Sequence, residues 1–183
     1  IVLAIFIKKH HISKYSIPYA IFTSGITDMM LDLAIIFTFQ TLYGYLYYQI
    51  GLLVTIFMMG VVLSSLYITR RLERIGKDST LFLIMELWVI CFSFLLPFIL
   101  SIPSQYLEKT AVYVLLYTTF LAMSFLCGTL VGLQFPLATK IYLGASRNEG
   151  RIGQTAGLLY GADLFGGFFG GLFGGVLFLP ILG

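Results

Sequence analysis

The sequence predicts an all-α integral membrane protein, a helical bundle of five full transmembrane helices plus the tail of a preceding one. Of its 183 residues, 59% are hydrophobic and 10% are charged, and the mean hydropathy is +0.97, well outside the range of ordinary soluble domains. Five stretches reach the length of about 20 apolar residues with which a helix crosses the hydrocarbon core. The short strands of alternating polarity that a membrane barrel requires are not found in the sequence.

The predicted elements follow in order along the chain. Residues 1–7 form the end of a preceding helix, residues 8–16 form a basic cytoplasmic loop, and residues 17–183 form one polytopic bundle. The first residue is Ile1 and not Met, so we expect the chain to be a piece of a longer protein. The five full spans are expected at 17–39, 47–69, 79–100, 110–133 and 155–179.

The charges between the spans predict the orientation. If successive spans cross in opposite directions, segments 8–16, 70–78 and 139–153 share one side, and segments 40–46 and 101–109 share the other. The first side carries ten Lys and Arg residues and the second carries one. By the positive-inside rule the first side is cytoplasmic, in a protein of the cytoplasmic (inner) membrane. The residues expected at the membrane surface are Lys8, Lys9, Lys14, Arg70, Arg71, Arg74 and Lys77.

Composition limits the chemistry that this chain offers. The net charge of +3 is too small to indicate a nucleic-acid partner. Cys91 and Cys127 lie in apolar runs and are interpreted as ordinary buried residues, while His10 and His11 follow two lysines at a membrane edge. Neither pair has the spacing of a metal site, and the sequence shows no nucleophile–base pair or cofactor loop. It therefore predicts no metal and no cofactor, and it assigns no catalytic site to these residues.

Glycines are concentrated in the fifth span and just after it, where residues 161–183 contain eight of them. Small residues four positions apart let a neighbouring backbone approach closely, which is how membrane helices gain packing. A phosphate-binding glycine loop is the alternative, but it needs a preceding strand that the pattern lacks. The glycines expected to pack against another helix are Gly157, Gly161, Gly166, Gly167, Gly170, Gly171, Gly174 and Gly175.

Four carboxylic acids fall inside the predicted spans: Asp28 and Asp32 in the first, Glu86 in the third and Asp163 in the fifth. A charge at the bilayer centre costs at least ~2.5–3.5 kcal/mol, so these groups should face the bundle or a wet cavity, be protonated, or hold a cation. Together with Tyr160, one turn before Asp163, they are the candidate cation-binding or substrate-binding residues. The alternative is that each acid accepts a hydrogen bond from a nearby donor and only sets the helix packing.

Several segments, taken in order, form a recognisable set. They are SGITDMMLDL (24–33), GYLYYQIGLLVTIFMMGVVLSSL (44–66), RRLERIGKD (70–78), LIMELW (83–88), GTLVGLQFPLATK (128–140) and GRIGQTAGLLYGADLFGGFFGG (150–171) followed by LPILG (179–183). The set resembles the transmembrane domain of membrane-bound spermidine synthase-like proteins, whose major-facilitator-like helices are often fused to an aminopropyltransferase domain.

The resemblance covers about residues 17–183. It implies that Asp32, Glu86, Tyr160 and Asp163 are family positions, and that a soluble aminopropyltransferase-like domain is a partner of this bundle. It does not carry an activity to these residues, because the glycine-rich loop and catalytic acids of aminopropyltransferases belong to that soluble domain.

Three hypotheses of function follow. The first is a membrane domain that binds or passes a small cation, a polyamine or a proton, through its intramembrane acids. The second is a structural anchor or subunit that holds a soluble domain or a partner complex. The third is half of a major-facilitator-like transporter, whose basic inner loop RRLERIGKD matches in part. In each case the partners expected are the lipid bilayer and other membrane helices of the same or a partner chain, and no nucleic acid.

Overall fold

The computed structural model describes residues 13–44, 47–71, 78–100, 110–146 and 152–178. Within these ranges every residue except Gly44 is helical, and five helices are long and apolar enough to cross a membrane. They are α1 (Ser13–Tyr43), α2 (Tyr47–Arg71), α3 (Asp78–Leu100), α4 (Thr110–Ser146) and α5 (Ile152–Leu172), and α5 continues as a π-helical segment, Phe173–Phe178. The predicted all-α fold and the number of long apolar helices are confirmed for these residues.

The predicted helix tail at 1–7 lies outside the described residues, as do His10, His11 and the basic residues Lys8, Lys9, Arg74 and Lys77. The helices extend into four of the five predicted loops, two of which flank α1. The helix α1 already begins at Ser13, inside the predicted loop 8–16, and it ends where Gly44 takes a positive φ of 84° and donates its N–H to the carbonyl of Gln40 at 2.8 Å. This is a common way for a helix to end, because glycine adopts the left-handed conformation without strain.

The helix α4 differs most from the prediction, because it continues to Ser146 and not to residue 133. Pro136 lies inside it, although proline lacks the N–H of the helical bond and crowds the carbonyl four residues earlier. Beyond Pro136 the residues Leu137 and Ala138 are fully buried and Tyr142 is nearly so. Burial of this apolar surface outweighs the local cost of the proline, so the predicted loop 139–153 was wrong for residues 139–146.

Two apolar clusters occupy opposite ends of the bundle. The basic-end cluster combines the start of α1, the end of α2, the start of α3, the end of α4 and the start of α5: Ile17, Ala20, Ile21, Ile68, Phe82, Met85, Leu137, Ala138, Tyr142 and Leu159. The aromatic-end cluster combines the opposite parts of α1 to α4: Leu31, Ile35, Phe39, Leu53, Val89, Leu96, Phe120, Met123 and Cys127. Successive helices therefore run in opposite directions.

The alternating direction of the helices also places their cationic ends and their tyrosine-rich ends at opposite ends of the bundle. Arg70, Arg71 and Lys140 belong to the ends of α2 and α4 that meet at the basic-end cluster. At the other end Tyr43 stacks on Phe39 with ring centroids 4.7 Å apart and donates its hydroxyl to the carbonyl of Tyr113 at 3.1 Å. The described cations and these tyrosines thus lie at opposite ends, as the charge pattern predicts.

Helices α2 and α4 run parallel and pack through small residues. The hydroxyl of Ser124 donates to the carbonyl of Leu53 at 3.0 Å, and a Cβ on Gly128 would overlap the backbone of Phe57. Gly132 lies in the same way against Val61. The spacing of Ser124, Gly128 and Gly132 is the close-packing pattern of membrane helices. It was visible in the sequence, but the prediction placed helix packing only near α5.

Helices α1 and α5 form the second parallel pair, which uses part of the predicted glycine set. A Cβ on Gly166 or Gly170 would overlap the α1 backbone at Phe22 or Ile26, and one on Gly174 would stand 3.2 Å from Met30. Gly171 and Gly175 are at ordinary contact distance from α1 side chains. Gly157, Gly161 and Gly167 do not pack against a described helix, since a Cβ there would meet no described atom within 4 Å. Residues four positions apart are offset by about 40° around a helix, so a long row of them gradually leaves the face that α1 covers.

The bond from Ser124 to α2 leads to a first prediction. Ser124→Ala is expected to lower the thermal unfolding midpoint of the purified protein in detergent by a few degrees, because an interhelical hydrogen bond in a membrane protein contributes about 0.6–1.7 kcal/mol. Thr118→Ala is the matched control, since that exposed hydroxyl bonds only to carbonyls of its own helix. Unfolding is monitored by circular dichroism. Equal decreases of the midpoint in the two variants would contradict a stabilising role for the bond between α2 and α4.

Candidate functional site

A layer of polar side chains separates the two apolar clusters. On α1, Ser24 and Asp28 lie between Ile21 of one cluster and Leu31 of the other, and they are 4% and 9% exposed. Glu86 of α3 lies between Met85 of the basic-end cluster and Val89 of the aromatic-end cluster. Gln134 of α4, 2% exposed, occupies the same level. This polar layer marks the middle of the bundle as the place to look for function.

Asp163 of α5 is held in this layer by a glycine. A Cβ on Gly25 would stand 2.6 Å from the carbonyl oxygen of Asp163 and 2.9 Å from its Oδ1, so only glycine leaves room for that carboxyl group against α1. Gly25 lies three residues before Asp28, on an adjoining part of the same helix face. Asp28 consequently lies within electrostatic range of Asp163, and of Glu86 as well. Gly25 was not among the predicted site residues.

Three of the predicted acids line a single groove. Asp28 and Asp32 of α1 and Asp163 of α5 border a cavity of about 570 Å³, here called the aspartate groove. Phe57 and Phe168 contribute apolar walls, together with methionine and aliphatic side chains of α1, α2, α4 and α5. Gly167, which does not contact α1, borders this groove, so the missing side chain adds to its space.

The electrostatics of the aspartate groove are one-sided. No lining residue is basic, and in the described part of the chain no group donates a hydrogen bond to the carboxyl groups of Asp28, Asp32 or Asp163. Three carboxyl groups near one another in an apolar surrounding cannot all carry unscreened charge. A bound cation, or protonation of some of these carboxyl groups, would neutralise that charge. The alternative from the sequence, an acid satisfied by a neighbouring donor, has no donor among the described residues.

Glu86 is not part of the aspartate groove. It borders a separate cavity of about 280 Å³ between α1 and α3, together with the hydroxyl-bearing residues Thr23, Ser24, Thr27 and Ser93. The four predicted acids are therefore divided between cavities on two faces of α1. The polar run TSGIT (23–27) before Asp28 is the sequence signal for this second cavity, although the prediction did not include its hydroxyl groups.

Tyr160 is the predicted site residue that the structure leaves apart. Its side chain is 56% exposed, and its ring packs edge-on against Phe135 with centroids 6.2 Å apart. It borders neither the aspartate groove nor the Glu86 cavity. Tyr160 and Asp163 are only three residues apart on α5, but the side chain of Tyr160 packs towards α4, whereas Asp163 faces α1.

The described residues include no group of three or more His, Cys, Asp or Glu placed to hold a metal ion. Both cysteines are free thiols: Cys127 is buried, whereas Cys91 is exposed, against the expectation that both are buried. Comparison of the chain with protein-family models, with curated proteins and with solved structures finds no match.

Proposed function

We propose that this chain is the membrane domain of a spermidine synthase-like protein of the cytoplasmic membrane, and that its aspartate groove binds a small organic cation of the polyamine type. One observation carries the proposal: carboxyl groups from two helices border one groove that has no basic lining residue. A cation with several protonated amino groups supplies the positive charge that balances these carboxylates, which no lining residue provides.

The shape of the groove supports a chain-like cation. Asp28 and Asp32 are one helical turn apart, about 6 Å along the axis of α1. That rise is similar to the separation of two ammonium groups joined by three or four methylene groups. The apolar walls suit the methylenes, and the rings of Phe57 and Phe168 can face an ammonium group, an interaction of about 0.5–2 kcal/mol.

The orientation belongs to the same proposal. Arg70, Arg71 and Lys140 lie at the ends of α2 and α4 that meet at the basic-end cluster, and positive charge is retained on the cytoplasmic side of bacterial-type spans. We therefore assign that end to the cytoplasm, which puts Asp32 on the outer side of Asp28.

The proposal is tested by calorimetric titration of the purified chain in lipid nanodiscs. A four-carbon diamine is expected to bind at least tenfold more tightly than the four-carbon monoamine, because two charged contacts replace one. The four-carbon diol, which has the same length and no charge, is the control and should not bind measurably. Equal affinity for the diamine and the monoamine, or no heat with either, would overturn the proposal.

A structural anchor is the second candidate function, and the glycine contacts of both parallel helix pairs favour it. An anchor needs these contacts but not the carboxyl groups. It predicts that amides can replace all three aspartates of the groove with no effect beyond stability.

A further inference from the structure

We propose that the cavity between α1 and α3, here called the Glu86 cavity, is a second binding site that holds one alkali-metal cation, for which Na⁺ is the probe. It lies on a different face of α1 from the aspartate groove, and it does not depend on polyamine binding there. The residues that carry the argument are Thr23, Ser24, Thr27, Glu86 and Ser93.

The hydroxyl groups on the α1 side of the cavity have their protons engaged elsewhere. Thr23 donates to the carbonyl of Ala20 at 2.8 Å, Ser24 to the same carbonyl at 3.0 Å, and Thr27 to the carbonyl of Thr23 at 3.1 Å. A hydroxyl group has one proton and two lone pairs, so each of these groups offers the cavity lone pairs. Three electron-pair donors from little more than one helical turn favour a cation over an anion.

The α3 side of the cavity contributes oxygen atoms without partners. Glu86 Oε1 and Ser93 Oγ are buried, and neither has a hydrogen-bond partner among the described residues. Buried polar atoms in native proteins are nearly always paired, so two unpaired oxygens in one cavity indicate that a ligand completes them. The two residues are seven positions apart, two turns and about 10 Å along α3, so they face the same side, and a water must link Ser93 to an ion that Glu86 contacts directly.

The charge and the type of the donor atoms narrow the class of ligand. Glu86 supplies the single carboxylate of this cavity, which balances one positive charge, whereas divalent cations are usually held by several carboxylates. Oxygen donors suit hard cations, and the set contains no thiol or imidazole that would suit a transition metal. The volume of about 280 Å³ exceeds the roughly 30 Å³ that one water occupies in the liquid, so an ion and a few waters fit.

The test is thermal unfolding of the purified full chain in detergent, with NaCl compared with choline chloride at equal ionic strength. A ligand that binds only the folded state raises the midpoint, by about 5–10 °C at a hundredfold excess over Kd for a protein of this size. We expect this rise with NaCl and not with choline chloride. Glu86→Gln should abolish it, and Asp163→Asn, an acid-to-amide change in the other cavity, should retain it.

A second variant keeps the proposal falsifiable if Glu86→Gln does not fold. Thr27→Val removes one hydroxyl group at nearly constant volume and is expected to raise the half-saturating Na⁺ concentration about tenfold. An equal Na⁺ shift in Glu86→Gln and the wild type would overturn the proposal. So would a wild-type shift that methylammonium chloride reproduces, or one that acidification alone produces in choline chloride, since these would assign the cavity to an amine or to a proton.

Discussion

Gly128→Leu is expected to disrupt the bundle and to have the largest effect on stability of any substitution considered. Even the Cβ would overlap the carbonyl of Phe57 on α2, and backbone atoms cannot move aside as a flexible side chain can. Overpacking of a well-filled interior costs about 1–3 kcal/mol, and a clash between two helix backbones lies at or above the upper end. The measurements are the thermal unfolding midpoint in detergent and the share of monodisperse protein in size-exclusion chromatography.

Gly161→Leu is the matched control for this prediction. A Cβ at Gly161 would meet no described atom within 4 Å, so the midpoint should stay or rise, since leucine favours the helix over glycine by up to about 1 kcal/mol. Gly170→Leu, at the interface of α1 and α5, should resemble Gly128→Leu. If Gly161→Leu were as damaging as Gly128→Leu, the loss would come from glycine content in general and not from the contact between α2 and α4.

Asp28→Asn is expected to cause the largest loss of cation affinity. Asp28 is the most buried of the three groove acids, and it lies within electrostatic range of Asp163. A full charge pair at 4 Å contributes about 4 kcal/mol at an effective dielectric constant of 20. Loss of even a third of this weakens binding about tenfold, since each 1.4 kcal/mol is a factor of ten. Titration of the four-carbon diamine should therefore give at least a tenfold higher Kd, and Asp28→Asn with Asp163→Asn should give no measurable binding.

Glu86→Gln is the matched acid-to-amide control, because Glu86 borders the other cavity. It should change the diamine Kd by less than about threefold, since its charge acts on the groove only from a distance. Circular dichroism checks that each amide variant keeps its helices. Equal losses in Glu86→Gln and Asp28→Asn would indicate a general field effect. An unchanged Kd in Asp28→Asn and in the double variant with Asp163→Asn would contradict cation binding in the groove and favour the structural anchor.

Hydropathy was enough to predict the helices, because length and apolarity are properties of each segment by itself. The bounds failed where long-range contacts decided them. Pro136 ends a helix by local rules, but burial of Leu137 and Ala138 carries α4 on to Ser146. The glycines of α5 were recognised as packing residues, whereas the shorter Ser124, Gly128 and Gly132 series was not, although its contacts with α2 are as close.

The sequence by itself determined that the chain is a bundle of long apolar helices, that the described cations gather at one end, and that four acids lie within the spans. Only the tertiary structure decided which acids meet. Asp28, Asp32 and Asp163 share one groove, Glu86 faces the hydroxyl groups of another cavity, and Tyr160 turns away from both. The physical reason is that helical periodicity sets the direction of a side chain from its own axis, while the partner it faces depends on where small residues such as Gly25 and Gly166 let two helices approach.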